Sequence, residues 1–138
     1  MIITRGQDYR EIGGWKYQTL RPMSTQSQYR PQGLITSSMG WVQIHSSGAL
    51  MVRRGYAWDG ASGPALDTPS FMRASLFHDA LYQLLREGRL ADAGGEDRLV
   101  ADELMRDICR ADGMPVWRAW YAYHVLRLAG GRAARRRG

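Results

Sequence analysis

The chain has 138 residues, a formal net charge of +6, 44% hydrophobic and 23% charged side chains, proportions ordinary for one small globular domain. It contains no apolar run of about 18 residues that could span a bilayer, and its single cysteine, Cys109, excludes an intrachain disulfide. The opening "MIITRGQDYREIGG" has no signal-peptide core, which predicts a chain made and kept in the cytoplasm.

Residues 1–66 read as the β-rich part of an α+β fold. Strands are expected at "WKYQTLR" from Trp15, then in a hairpin of "GWVQIHSS" and "ALMVRRGYAW" around a Ser46-Ser47-Gly48 turn. Alternation puts Val42 and Ile44 on one face of that hairpin and Trp41, Gln43 and His45 on the other. The polar segment "STQSQYRPQG", 24–33, reads as a loop because of Pro31 and Gly33.

From residue 67 the period becomes helical. Asp67 and Thr68 precede Pro69, a capping side chain followed by proline at the first helical position, and the apolar spacing runs to about Glu87. A loop "GRLADAGG" leads to a second helix, about Glu96 to Ala111, stopped at Gly113. A third begins at Pro115 and reaches Gly130. Strands first and three helices after define an α+β domain over 1–130 without repeats. Residues 131–138 form a basic tail, "RAARRRG" holding four arginines, and the body without them carries about +2. That tail is expected to be a disordered solubilising end, or to touch nucleic acid, anionic lipid or an acidic partner; the body has no nucleic-acid footprint.

The chemistry concentrates on the first two helices. On a wheel, Phe71, Ala74, Ser75, Leu81, Tyr82 and Leu85 fall within about 60° of His78, so an imidazole stands at the centre of the buried face. Asp79 lies about 100° away, at the edge of that face. On the second helix Val100, Ala101, Leu104, Met105, Ile108 and Cys109 form the apolar arc, with Asp102 just past its edge. A buried histidine needs a partner, and Asp102 is the natural one. A carboxylate on one ring nitrogen leaves the other as a base for water. The same residues also read as a satisfied core pair.

Upstream, "YAWDGASGPALDT" joins Gly55, Gly60, Gly63 and Pro64 to Asp59 and Asp67. Backbone carbonyls beside carboxylates suit a hard cation such as calcium, which takes six to eight oxygens; the alternative is a tight turn at Asp59-Gly60. Trp117, Trp120, Tyr121 and Tyr123 on the third helix form either a lipid-touching face or a core or subunit contact. His45 and His124 read as surface or interface residues, and Cys109 as an inert buried thiol. No phosphate-binding loop, zinc-type cysteine pair or serine elbow is present.

Two resemblances follow from these motifs. "GYAWDGASGP", "RASLFHDALYQL", "ADELMRDICRADGMP" and "YHVLRLAGG" together resemble, over residues 40–131, a family of small proteins of undetermined function from tailed bacteriophages and prophages. This implies a phage origin: a tail or head accessory protein of the virion, synthesised in the host cytoplasm, whose partners are other virion proteins in a homo- or hetero-oligomer. The glycine-rich loop, then His-Asp-x-x-Tyr on one helix and an aspartate on the next, is similar to the phospholipase A2 superfamily. That similarity implies His78 as general base, Tyr82 and Asp102 as the pair orienting it, and Asp79 as a calcium ligand. Asp59 and the backbone oxygens from Gly60 to Gly63 are the further candidates for the cation, and the implied substrate is a lipid ester or another component of the cell envelope. The chain departs from that superfamily in having no disulfides and in its β-rich first third. A third reading is an intracellular protein that binds a host component.

Overall fold

The computed structural model describes residues 8–13, 16–58, 69–90 and 96–129. The segment 59–68, with Asp59, Gly60, Gly63 and Asp67, and the tail 131–138 lie outside them.

The described chain is α+β, with seven short antiparallel strands in two sheets followed by three helices. β1 (Tyr9–Gly13), β2 (Lys16–Thr19) and β7 (Ala57–Trp58) make a three-stranded sheet in the order β1-β2-β7. Its buried face is aromatic: Tyr9, Tyr17 and Trp58 sit with ring centroids 5.7–6.1 Å apart. β3 (Met23–Gln26), β4 (Ile35–Thr36), β5 (Val42–Ile44) and β6 (Ala49–Val52) make the second sheet in the order β3-β6-β5-β4.

The β5–β6 hairpin forms where alternation predicts it, with Val42, Ile44, Leu50 and Val52 buried and Gln43 half-exposed. Gly48 closes its turn at φ +91, a conformation open to glycine at little cost. The carbonyl of Gly48 accepts from both the amide and the hydroxyl of Ser27, which anchors the turn to the chain leaving β3.

Two expectations fail in this half. The polar run from Ser24 is not all loop, because Ser24, Thr25 and Gln26 belong to β3 and pair with Met51, Leu50 and Ala49. An edge strand with one wet face can be polar, and this one hides its period behind serine, threonine and glutamine. Likewise "ALMVRRGYAW" is not one strand. It breaks at Arg53–Tyr56, where Gly55 has φ +90, and passes from one sheet to the other. The buried Thr19 hydroxyl holds the crossing, donating to the Arg53 carbonyl at 2.9 Å and accepting from the Tyr56 amide at 3.0 Å.

α1 (Pro69–Arg86), α2 (Glu96–Ala111) and α3 (Val116–Ala129) follow. Pro69 is the first residue of α1, where its missing amide hydrogen costs nothing. α1 and α2 end alike: Gly88 and Gly113 take left-handed φ values, and the bonds Arg89 N–H to Leu84 O and Met114 N–H to Cys109 O close a Schellman motif on each. α1 is not amphipathic in the expected sense. Met72, Leu76, Phe77, Ala80 and Leu84 are buried as well as the His78 face, since α1 packs on β5 and β6 as well as on α2. Arg73 forks onto Asp112 with two 3.0 Å bonds, tying α1 to the end of α2.

Candidate functional site

His78 and Tyr82 are one turn apart on α1, a spacing that stacks two side chains on one face of a helix. Their ring centroids are 4.1 Å apart, and both reach the same oxygen on α2. His78 Nε2 is 2.7 Å from Asp102 Oδ1, and the Tyr82 hydroxyl donates to that atom at 2.6 Å. The three residues brought together by sequence reasoning therefore touch.

Asp102 is not at the edge of a face: it is 0% exposed. Two arginines explain how a carboxylate is tolerated there. Arg127 of α3 donates to Oδ2 at 2.9 Å, and Arg98, one turn before Asp102 on α2, lies 3.5 Å from the same oxygen. Arg98 also donates to the carbonyls of Leu126 and Arg127 at 3.4 and 3.3 Å, a cation at the negative end of α3. One buried carboxylate thus joins all three helices.

These contacts set the protonation states. Burial alone would raise the Asp102 pKa, but hydrogen bonds from His78 and Tyr82, the charge of His78 and the Arg127 bond outweigh it and hold the carboxyl below its usual range. Tyr82 is pushed well above the ordinary phenol range, by burial first and then by its bond to Asp102. Tyr82 is consequently a donor, and an ionised Asp102 requires His78 to donate through Nε2–H. In the neutral imidazole this tautomer leaves the Nδ1 lone pair available, and in the imidazolium Nδ1 carries the second proton. No hydrogen bond joins Nδ1 to a described residue, and His78 is 7% exposed.

Sequence reasoning missed Arg98 and Arg127. Arg98 carried a signal, the i,i+4 spacing to Asp102; Arg127 carried none, because its approach depends on how α3 returns across α2.

The chain over residues 39–126 matches a family described as protein of unknown function (DUF1353). That stretch covers more than half of the chain and carries His78, Tyr82, Arg98 and Asp102. The chain belongs to the DUF1353 family. No curated protein and no solved structure shows significant similarity to it.

Of the expected cation ligands only Asp79 lies on a described element of this DUF1353 chain. It is half-buried and already engaged in an interaction. Among the described residues no cluster of three or more histidine, cysteine, aspartate or glutamate side chains is placed to hold a metal. One carboxylate falls well short of the six to eight oxygens calcium takes, so the described residues do not make a calcium site by themselves. A groove between β3 and α2, bordered by Thr25, Ser27, Arg73, Leu104 and Asp107, lies apart from His78 and Asp102.

The remaining candidates divide. Cys109 is fully buried, and burial pushes its thiol up to about 12, in keeping with an inert core residue. His45 is half-buried, with Nε2 enclosed and without a hydrogen-bond partner among the described residues. His124 is exposed, its ring 4.2 Å from that of Trp120. Three of the four third-helix aromatics are not core: Trp117, Trp120 and Tyr121 are exposed, while Tyr123 packs against the core with the Arg106 guanidinium over its ring at 4.8 Å.

Proposed function

We propose that this DUF1353 protein is a hydrolase of lipid esters or related envelope esters, with His78 as its general base. The observation that carries the reading is the division of labour on the imidazole. Nε2 is committed to a buried carboxylate that Tyr82 also holds, and Nδ1 has no described partner. In the reaction, Nδ1 takes a proton from water as the water oxygen bonds to the ester carbonyl carbon. Asp102 stabilises the imidazolium that forms. The imidazolium returns the proton to the departing alkoxide as the carbon–oxygen bond breaks, leaving acid and alcohol. Arg98 and Arg127 touch Asp102 rather than His78, so their part is to keep Asp102 ionised and in place.

Asp79, Asp59 and the carbonyls of Gly60 and Gly63 form the calcium half of the proposal, and no step above runs through the ion. Calorimetry on the full chain tests it. Calcium binding in the micromolar to millimolar range that disappears in Asp79→Ala supports a cation site, and absence of binding removes the metal from the reading.

The catalytic half is tested by phospholipid hydrolysis with and without calcium. His78→Gln is expected to lower the rate by at least about 100-fold with the circular dichroism spectrum unchanged. Wild-type protein that is folded and hydrolyses no ester refutes it.

A second reading is favoured by Asp102 itself, whose donors come from three helices as a structural cross-link's would. On that reading the protein is a component of a phage particle, in the tail or head, and the His-Asp cluster only holds the fold. It predicts that His78→Gln unfolds at lower denaturant than wild type and that neither protein turns over substrate.

A further inference from the structure

α3 has two apolar faces. Ala119, Ala122 and Leu126 turn inward, toward the rest of the fold. On the opposite side Trp117, Trp120, Tyr121, His124 and Leu128, spaced i, i+3, i+4, i+7 and i+11, form one stripe. Trp117 is 71% exposed, Trp120 59% and Leu128 90%. Among the described residues nothing covers this stripe.

The charge distribution says what fits it. Residues 1–115 contain thirteen arginines and lysines and thirteen aspartates and glutamates, so they sum to zero. All of the +6 lies in residues 116–138, which hold six arginines, Arg118, Arg127, Arg132, Arg135, Arg136 and Arg137, and no aspartate or glutamate. A second copy of the chain docked stripe to stripe would bring two such segments together, and like charges oppose that pairing. An anionic bilayer surface opposes nothing. Tryptophan and tyrosine settle at the headgroup level, arginines are drawn to anionic headgroups, and an apolar stripe on a helix lying in the plane of the interface supplies the rest. No described helix is long and apolar enough to cross a membrane, so the contact is one of surface.

We infer that the outer face of α3 forms a docking surface for anionic lipid bilayers, the positive charge of the sequence that follows the helix selecting their sign. This stands apart from the proposed hydrolysis, since binding is read without turnover. The test uses the full chain with vesicles of phosphatidylcholine alone and of phosphatidylcholine mixed with phosphatidylglycerol, read by co-sedimentation and tryptophan fluorescence. Wild type is expected to sediment with the anionic vesicles only, more weakly as salt rises, with a blue-shifted emission. The double variant Trp117→Ser, Trp120→Ser is expected to lose at least about tenfold in vesicle affinity. Leu34→Ser, at an exposed residue outside the helices, is expected to bind as wild type does. Both altered tryptophans are exposed, so circular dichroism should be unchanged. No binding to anionic vesicles overturns the inference, and so does binding that the double variant retains. A concentration-dependent dimer that the double variant abolishes, without vesicle binding, assigns the face to a second copy and overturns it equally.

Discussion

Replacing Asp102 by asparagine removes the charge while keeping the shape. The amide oxygen can still accept from Tyr82 and His78, but the nitrogen then replaces Oδ2 and faces the Arg127 and Arg98 guanidiniums. Breaking a buried ion pair by deleting one partner costs about 3–5 kcal/mol. Here the close pair is Arg127 at 2.9 Å, whose side chain is 28% exposed and can swing toward water. Arg98 at 3.5 Å keeps its bonds to the α3 carbonyls. Both features lower the cost, to about 2–4 kcal/mol at pH 7. Urea unfolding followed by circular dichroism measures it. The pH dependence has a definite sign. The folded-state pKa of Asp102 lies below its ordinary value, so its contribution is complete above about pH 4 and is lost as pH falls through the folded value. Wild type and Asp102→Asn should therefore converge in stability as the solution is acidified below pH 4. A difference under about 1 kcal/mol at neutral pH, or a gap that widens in acid, would refute the account of Asp102 as an anion held by four donors.

Gly48→Ala should destabilise by about 2 kcal/mol, because the new methyl enters at φ +91 and meets the Ser27 carbonyl oxygen at 2.7 Å; a melting temperature equal to wild type would contradict it. Tyr82→Phe, which deletes a 2.6 Å donor to a carboxylate, should cost about 1–2 kcal/mol in the same urea assay, and no change would mean that water replaces the hydroxyl. Native Cys109, its thiol raised to about 12 by burial, should resist a disulfide reagent at pH 8 until the protein unfolds; prompt stoichiometric labelling would show that the core around it opens.

Much of the site was legible because it is local in period. His78 and Tyr82 share a face by helical spacing, and a buried imidazole demands a partner, which points to the aspartate on the facing helix. Helix ends were legible for a similar reason, since Gly113 and Pro69 act through their own backbone. What was not legible depends on tertiary enclosure. α1 is covered on further sides by a sheet that no wheel includes, Asp102 sinks to full burial only because Arg127 arrives from α3, and β3 is identifiable as a strand only through its pairing with β6. The outward aromatics of α3 are the converse case. Their period is helical, but nothing in a single sequence distinguishes the apolar face that finds a partner inside the chain from the one that does not.

The family-wide stretch, 39–126, is narrower than the network of strand pairing. β6 lies between β3 and β5, β5 lies between β6 and β4, and β7 pairs with β2, so all three strands inside that stretch have neighbours that precede it. A fragment cut at its boundary would leave all three with unfilled backbone donors and acceptors along one side, and would bare Trp58 by removing Tyr9 and Tyr17. Open edges of this kind recruit other chains. The smallest piece of this protein that can be handled alone in solution must therefore begin well upstream of the recurring segment, and a shorter one is expected to aggregate rather than to report on the histidine.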